Sequence, residues 1–346
     1  MELGERKLKI LAAIVDLYVK TGEPISSKAL CDLSDFSLSS ATIRNEMAEL
    51  TELGYLEQPH TSAGRIPSHL GYRLYINQLM GKKDVPNQSK EIIDNSLTKH
   101  SDSPESLLNK ASALLAQLTN LAVISTTLSA KFDTIKEIQF IKTGNHTGLV
   151  LVITSTGFVK NRFFRCEYVL TEDIIKNFYR IFNEKFSGIP LIEITEEFID
   201  KIALSLGEII HLVDTVLIAI FDTIVDIVKL DIHLEGQANL LLFPDFSSNS
   251  IVDISNFLKK GNNITNFILN INDNNTKVLF GKETPFEQLS DSSIILTNYA
   301  VKGKNLGVIG LIGPVRMDYG GTIASLEYIA SSIGDSLSKF LDIDQI

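Results

Sequence analysis

Thr42, Arg44 and Asn45 belong to a stretch in which Ile43, Met47 and Leu50 recur at helical spacing. On a helix those apolar three share one face, which leaves Ala41, Thr42, Asn45 and Ala48 on the other, with Arg44 on its flank. The chemistry of that second face is hydrogen bonding to base edges. Asn pairs bidentately with adenine, Arg reaches guanine or phosphate, Thr serves either, and the alanines allow close approach to a groove floor. Downstream, His60, Thr61, Ser62 and Arg65 surround Ala63 and Gly64, a set of small polar groups about one cation that suits phosphate or minor-groove contact. Upstream, Ser26, Ser27 and Lys28, together with Ser40 at the start of the helix, are candidates for anchoring a DNA backbone.

Other residues that could do chemistry are less persuasive. Gly307-x-x-Gly310-x-x-Gly313-Pro314 lacks both the GK[ST] ending and the strand–GxGxxG–helix order of nucleotide loops, so close strand packing ending in a turn is the better account. Asp222 and Asp226 stand four residues apart with no His or third carboxylate at helical spacing, which fits a solvated helix face better than a metal site. The six histidines (His60, His69, His100, His146, His211, His233) form no HxH or HExxH pattern, and no Ser-His-Asp or Cys-His set is legible. No catalytic residue, metal or cofactor is therefore expected. Cys31 and Cys166 form no CxxC pair and read as reduced thiols of a cytoplasmic protein.

The elements that must position the polar face follow from the same patterning. A helix over about 5–20 carries Leu8, Leu11, Val15 and Tyr18 on one stripe and is stopped by Gly22 and Pro24. Ser26 caps a short second helix to Leu33 that buries Ala29, Leu30 and Leu33, and Ser39 or Ser40 caps the third, which ends at Gly54. A strand at 55–57, a polar turn at 61–66 and a helix at 71–79 complete a unit spanning 1–80. Three helices, a strand and a turn are the physical recipe for a winged helix-turn-helix, in which the third helix enters the major groove. The plainer alternative is a small scaffold or protein-docking module.

Residues 81–104 are polar and read as a linker, a hinge holding one helix at most. Beyond them a helix at 106–121, strands near 122–127, 135–142, 148–155 and 157–164, a helical block from 170 and further strands from 278 give an α+β pattern with a helical insertion. The domain at 105–169 and 236–346 is then interrupted by 170–235. Within the insertion, Leu206, Ile209, Val213, Leu217, Ile220 and Ile224 lie on an apolar arc too wide for one-sided burial, so a second copy of the chain is the expected partner. A two-fold dimer would space its reading helices by one DNA turn or a multiple of it.

Bulk properties set limits on this reading. The chain has 346 residues, enough for two or three domains, and a net charge of −10. Even residues 1–80 hold eight basic against ten acidic side chains, so affinity for DNA must come from where the cations sit. Early charges exclude a signal peptide, and Ile209–Leu230 holds too many charges for a bilayer span. A membrane partner is not expected.

The stretch from Thr21 to Leu30 (TGEPISSKAL), the stretch from Ser39 to Leu50 (SSATIRNEMAEL), the run from Leu53 to Pro67 and the triplet Gly71-Tyr72-Arg73 closely resemble the heat-inducible transcription repressor family HrcA. Glu235-Gly236-Gln237-Ala238-Asn239-Leu240-Leu241 and the run from Gly310 to Tyr319 resemble that family's later signatures. The resemblance implies a winged-helix domain, a GAF-like domain and a dimerisation segment inserted into the latter. It also implies repression of chaperone operons through an inverted-repeat operator, with double-stranded DNA, a second copy of the chain and the chaperonin as partners. The chain departs from the family at Ser40, where Pro is common, and at Glu46, where Asp is common; both exchanges are mild. Two other classes stand as alternatives: a regulator gated by a small molecule in the GAF-like domain, and an enzyme whose N-terminal unit only docks a partner.

Overall fold

Helix α1 (Glu5–Thr21) buries Ile10, Leu11, Ile14 and Val15, carries Glu5 in its first turn and Lys20 in its last, and so complements its own dipole. It stops where Gly22 takes the left-handed conformation (φ 71°) and returns its N–H to the Tyr18 carbonyl at 2.8 Å. This computed structural model describes residues 3–33, 38–60, 63–98, 103–126, 133–207, 210–229, 232–259 and 275–340. Helix α2 (Ser27–Cys31) is capped by Ser26 and α3 (Ser40–Glu52) by Ser39. In α2 only Leu30 is fully buried, and Ala29, expected inside, faces solvent, because so short a helix presents a single side chain to its neighbours. Strands β1 (Leu56–Glu57) and β2 (Ile66–Pro67) pair antiparallel, and α4 (His69–Leu74) continues into a π-helical turn at Tyr75–Leu79.

Helices α5 (Asn87–Thr98) and α6 (Pro104–Thr119) lead into β3 (Ala122–Thr126). The chain then leaves for a separate unit. Strands β4 (Ile135–Lys142), β5 (Thr147–Thr154) and β6 (Val159–Arg165) form a three-stranded antiparallel sheet, followed by α7 (Glu172–Phe186), α8 (Glu196–Leu206) and α9 (Ile210–Val228). Phe140 and Phe164 of the sheet meet Phe178 and Phe182 of α7 with ring centroids 5.6–6.3 Å apart. The Asn183 side chain lies along β4, accepting from Ile138 N at 2.8 Å and donating to Ile138 O at 2.7 Å.

Strand β7 (Ile232–Glu235) returns to β3. Helix α10 (Ser248–Lys259), β8 (Lys277–Phe280), β9 (Ser292–Val301), β10 (Lys304–Pro314) and α11 (Tyr319–Phe340) complete the body. Its antiparallel sheet runs β7-β3-β10-β9-β8. Val123, Ile295, Tyr299 and Ile309 turn one face toward α6 and α11, while Ile124, Ile294, Leu296 and Val308 turn the other toward α10 and the 3-10 turn at Gln237–Leu242. The Asn239 amide donates to the carbonyls of Ala116 and Leu121, at 3.2 and 3.1 Å, and so fastens that turn to the end of α6.

Three further sequence-based expectations differ from this arrangement. First, 135–169 was placed with the body and 170–235 in the insertion. Among the described residues, strands β4–β6 instead pair only with one another and share their core with α7–α9, whereas β7 belongs to the body's sheet. Alternating strands look the same in either sheet, so periodicity could not assign them.

Second, 81–104 is more than a hinge. Ile93 and Leu97 of α5 are buried in the same core as α11, Tyr328 donates to Asp94, and Lys83 pairs with Asp318 at 2.8 Å. Third, Leu206, Val213, Leu217, Ile220 and Ile224 are buried inside their own chain, against the phenylalanine core, so these side chains are not available to a partner. Ile209 lies outside the described residues. Other apolar residues of this unit stay exposed, among them Leu212, Ile218 and Val225 on α9. On the outer face of its sheet, Ile141 stands opposite Leu149 and Leu149 opposite Phe163 in one cross-strand row, with Ile153 opposite Val159 in another. Phe163 is 70% exposed.

Candidate nucleic-acid interface

The start of α3 is built from four hydroxyls. Ser39 Oγ accepts from Thr42 N at 3.2 Å and lies 2.9 Å from Thr42 Oγ1. Ser40 Oγ stands 3.0 Å from Ser27 Oγ, which ties the first turn of α3 to α2, while Ser26 Oγ accepts from Ala29 N. Sequence spacing cannot see the Ser27–Ser40 contact, because it depends on the angle between two helices. Ser26, Lys28, Ser40, Arg44 and Asn45 face solvent together with His60; Ser27, Thr42 and Arg65 are half-buried. Among the described residues the side chains of Arg44 and Asn45 have no partner, so both point outward from a fixed helix with their donors unused. Thr61 and Ser62 lie outside the described residues.

Arg65 does more than the sequence indicates. Its backbone exchanges two hydrogen bonds with Ile25 (2.9 and 2.8 Å), and its Nε donates to Thr51 Oγ1 at 2.9 Å. Thr51 in turn donates to Met47 O at 2.8 Å, so the β2 side of the turn is fastened to the last turns of α3. The guanidinium thus holds the two elements in register.

Glu46 and Glu49 place two carboxylates on the same helix as Arg44 and Asn45. Lys7 Nζ, on α1, lies 3.0 Å from Glu46 Oε2 and 2.8 Å from Glu49 Oε2, and Arg6 reaches Glu46 at 3.5 Å. Hydrogen bonds to Glu49 and to Glu46 hold the Lys7 ammonium above its ordinary pKa. The cations of α1 therefore offset the acidic side of α3, which is how a segment with a net negative charge can still offer a usable face. Nothing in the sequence pairs residues this far apart, and Arg6 and Lys7 were missed for that reason.

The remaining candidates carry no comparable arrangement. Asp222 and Asp226 both pair with Arg162, at 3.3 and 2.6 Å, and no group of three or more His, Cys, Asp and Glu suited to a metal occurs among the described residues. Gly307, Gly310 and Gly313 lie on β10, where a Cβ at Gly310 would collide with Leu296 and the Ile295 carbonyl, in agreement with close strand packing. Clefts of 300 and 340 Å³ lie open at the surface of the body, and one of 510 Å³ lies between it and the Arg73–Met80 stretch. Among the described residues no helix is long and apolar enough to cross a membrane.

Comparison with known proteins agrees along the whole chain. The family described as "HrcA protein C terminal domain" matches residues 105–323. The heat-inducible transcription repressor HrcA of Ruminiclostridium cellulolyticum is 33% identical over 346 residues, covering 99% of each chain. Its counterpart in Acetivibrio thermocellus is 34% identical over 349 residues, again covering 99% of each. A solved structure described as a hypothetical protein at 2.2 Å resolution shares the fold with a TM-score of 0.68 and 24% identity, over 98% of this chain and 100% of that one.

Proposed function

The chain belongs to the HrcA family of heat-inducible transcription repressors, and from that membership and the geometry of α3 we propose that it is a DNA-binding repressor of stress-response (chaperone) operons. In this reading α1–α3 with β1 and β2 work as a winged helix-turn-helix. Helix α3 enters the major groove, Asn45 and Arg44 read bases beside Thr42, and Ser26, Ser27, Lys28 and Ser40 hold the DNA backbone. His60, Thr61, Ser62 and Arg65 form the wing, and the five-stranded body is the GAF-like domain. The protein acts in the cytoplasm and catalyses no reaction. The observation that carries the proposal is the exposed pair Arg44 and Asn45, without side-chain partners among the described residues, on a helix where Glu46 and Glu49 are offset from behind by Lys7 and Arg6.

The operator is an inverted repeat bound by two copies of the chain. The inserted unit joins them through the outer face of its sheet, around Leu149 and Phe163, since the apolar residues of α9 first considered serve the fold's own core.

The test is a gel-shift of the full chain on its own upstream DNA across a salt series, beside Asn45→Ala and Arg44→Ala. Each variant should lose about 1–3 kcal/mol of specific binding and keep its melting temperature. Wild-type affinity in either variant would remove that residue from the reading face. Failure of the parent chain to bind at low salt would remove the proposal.

A further inference from the structure

Two stretches singled out in the sequence play no part in reading bases: Gly71-Tyr72-Arg73 and the run ending in Arg316-Met317-Asp318-Tyr319. They are more than 240 residues apart and they meet. Tyr72, 2% exposed, lies with its ring centroid 6.2 Å from Phe280 and 6.0 Å from Tyr319, both fully buried in the body. The Arg73 guanidinium sits 4.7 Å over the Phe280 ring, donates to Val278 O at 2.8 Å and pairs with Glu283. Glu283 in turn accepts from Phe280 N at 3.0 Å. Gly71 seats α4 within its own unit, because a Cβ there would collide with the Tyr55 carbonyl oxygen beside β1.

A second attachment lies at the other end of the reading unit. Arg316 makes two bonds of 3.0 Å to Asp245, and its guanidinium carbon would lie 3.3 Å from a Cβ at Gly22, against the end of α1. One contact would leave the unit free to swivel; two separate contacts fix its orientation. Domains joined by small polar interfaces move as a rule, but this seam is aromatic and its core runs unbroken from α1 to α11.

We infer that the seam closed by Tyr72, Arg73 and Phe280 holds α3 at a set angle and distance, so that the chain selects DNA by the spacing of two half-sites as well as by their bases. Arg73 is thus a positioning residue. The inference rests on the proposed DNA-binding dimer. One added base pair displaces a half-site by about 3.4 Å and rotates it by roughly 35°. Reading units on loose tethers would follow that displacement, whereas units locked to the body cannot.

The experiment uses the full chain and a half-site obtained by selection from random duplex DNA, set as inverted repeats whose spacers differ by up to half a turn. Wild type should lose on the order of 100-fold in affinity between the best and worst spacers. Arg73→Ala and Phe280→Ala should flatten that ratio to less than about 10-fold while binding a single half-site as wild type does. A partly folded variant would lose half-site and repeat binding together, so the ratio separates positioning from damage. Should Phe280→Ala fail to fold, Arg73→Ala decides alone, since its side chain is only partly buried. A folded Arg73→Ala with the wild-type spacing profile, or a wild-type chain indifferent to spacing, would overturn the inference. If wild type selects no DNA at all, the failure belongs to the proposed function.

Discussion

His69 shows how much a single side chain can report about the seam. Its ring stands edge-on to Phe280 with centroids 5.4 Å apart, and its Nδ1 is buried without a partner among the described residues. Burial first, then the charge of Lys282, pushes its pKa below the ordinary 6.5, against the opposing pull of Glu57, Glu283 and Asp291. The folded chain therefore prefers the neutral ring. Stability is intact above pH 6.5 and is lost as the pH falls from there toward the depressed value, because the unfolded chain takes up the proton first. The melting temperature should drop between pH 7.5 and 5.5, and His69→Leu should reduce that drop. An equal drop in the variant would show that other groups dominate. The exposure of Asn45 and Arg44 was legible in the sequence, because a helix face is a local property. His69, Lys7 and Arg73 were not, since each takes its meaning from a partner on a distant element.

At the level of elements, α9 marks the limit of reading apolar arcs. Its wide hydrophobic face correctly signals burial on more than one side, yet pattern alone cannot say whether the second side is another chain or the same one. Here the three-stranded sheet and the phenylalanines of α7 supply it. Exposed apolar groups remain on α9 itself, at Leu212, Ile218 and Val225, and on strands whose strict alternation announced two faces without saying which was covered. Phe163→Asp should therefore convert a dimer into a folded monomer, measured by light scattering, and weaken binding to an inverted repeat far more than to a half-site. A dimer that persists would move the contact elsewhere. The N-terminal helices were recognisable from their caps and periodicity. The region 236–277 offered no strong period, and α10 was missed there.

For the molecule as a whole, the reading unit and the body share one apolar core that includes Ile10 and Leu11 of α1, Tyr72 of α4, Ile93 of α5 and Leu326 of α11. A chain built on tethers would unfold piecewise; one built on a common core should not. Calorimetry should find the reading unit and the body melting in a single transition, and Tyr72→Ala should split off an earlier one. Two separated transitions in the wild-type chain would contradict the shared core. The sequence conveyed the order of units along the chain but not their attachment, because the polar stretch 81–104 conceals the inward residues Val85, Ile93 and Leu97 that fasten it.

The Asn183 amide on β4 has a consequence for behaviour at high concentration. An open sheet edge is a template on which foreign strands can add. By both donating to and accepting from Ile138, the amide occupies the hydrogen-bonding positions that an incoming strand would take. Asn183→Ala leaves Ile138 with an unmet donor and acceptor, a cost of about 1–3 kcal/mol that an intruding strand would relieve. Solutions of that variant should turn turbid on warming at temperatures where the parent stays clear, and they should do so while operator binding measured in the cold is still normal. The amide thus covers the middle of an edge whose start is already bonded to Gly188 and Ile189.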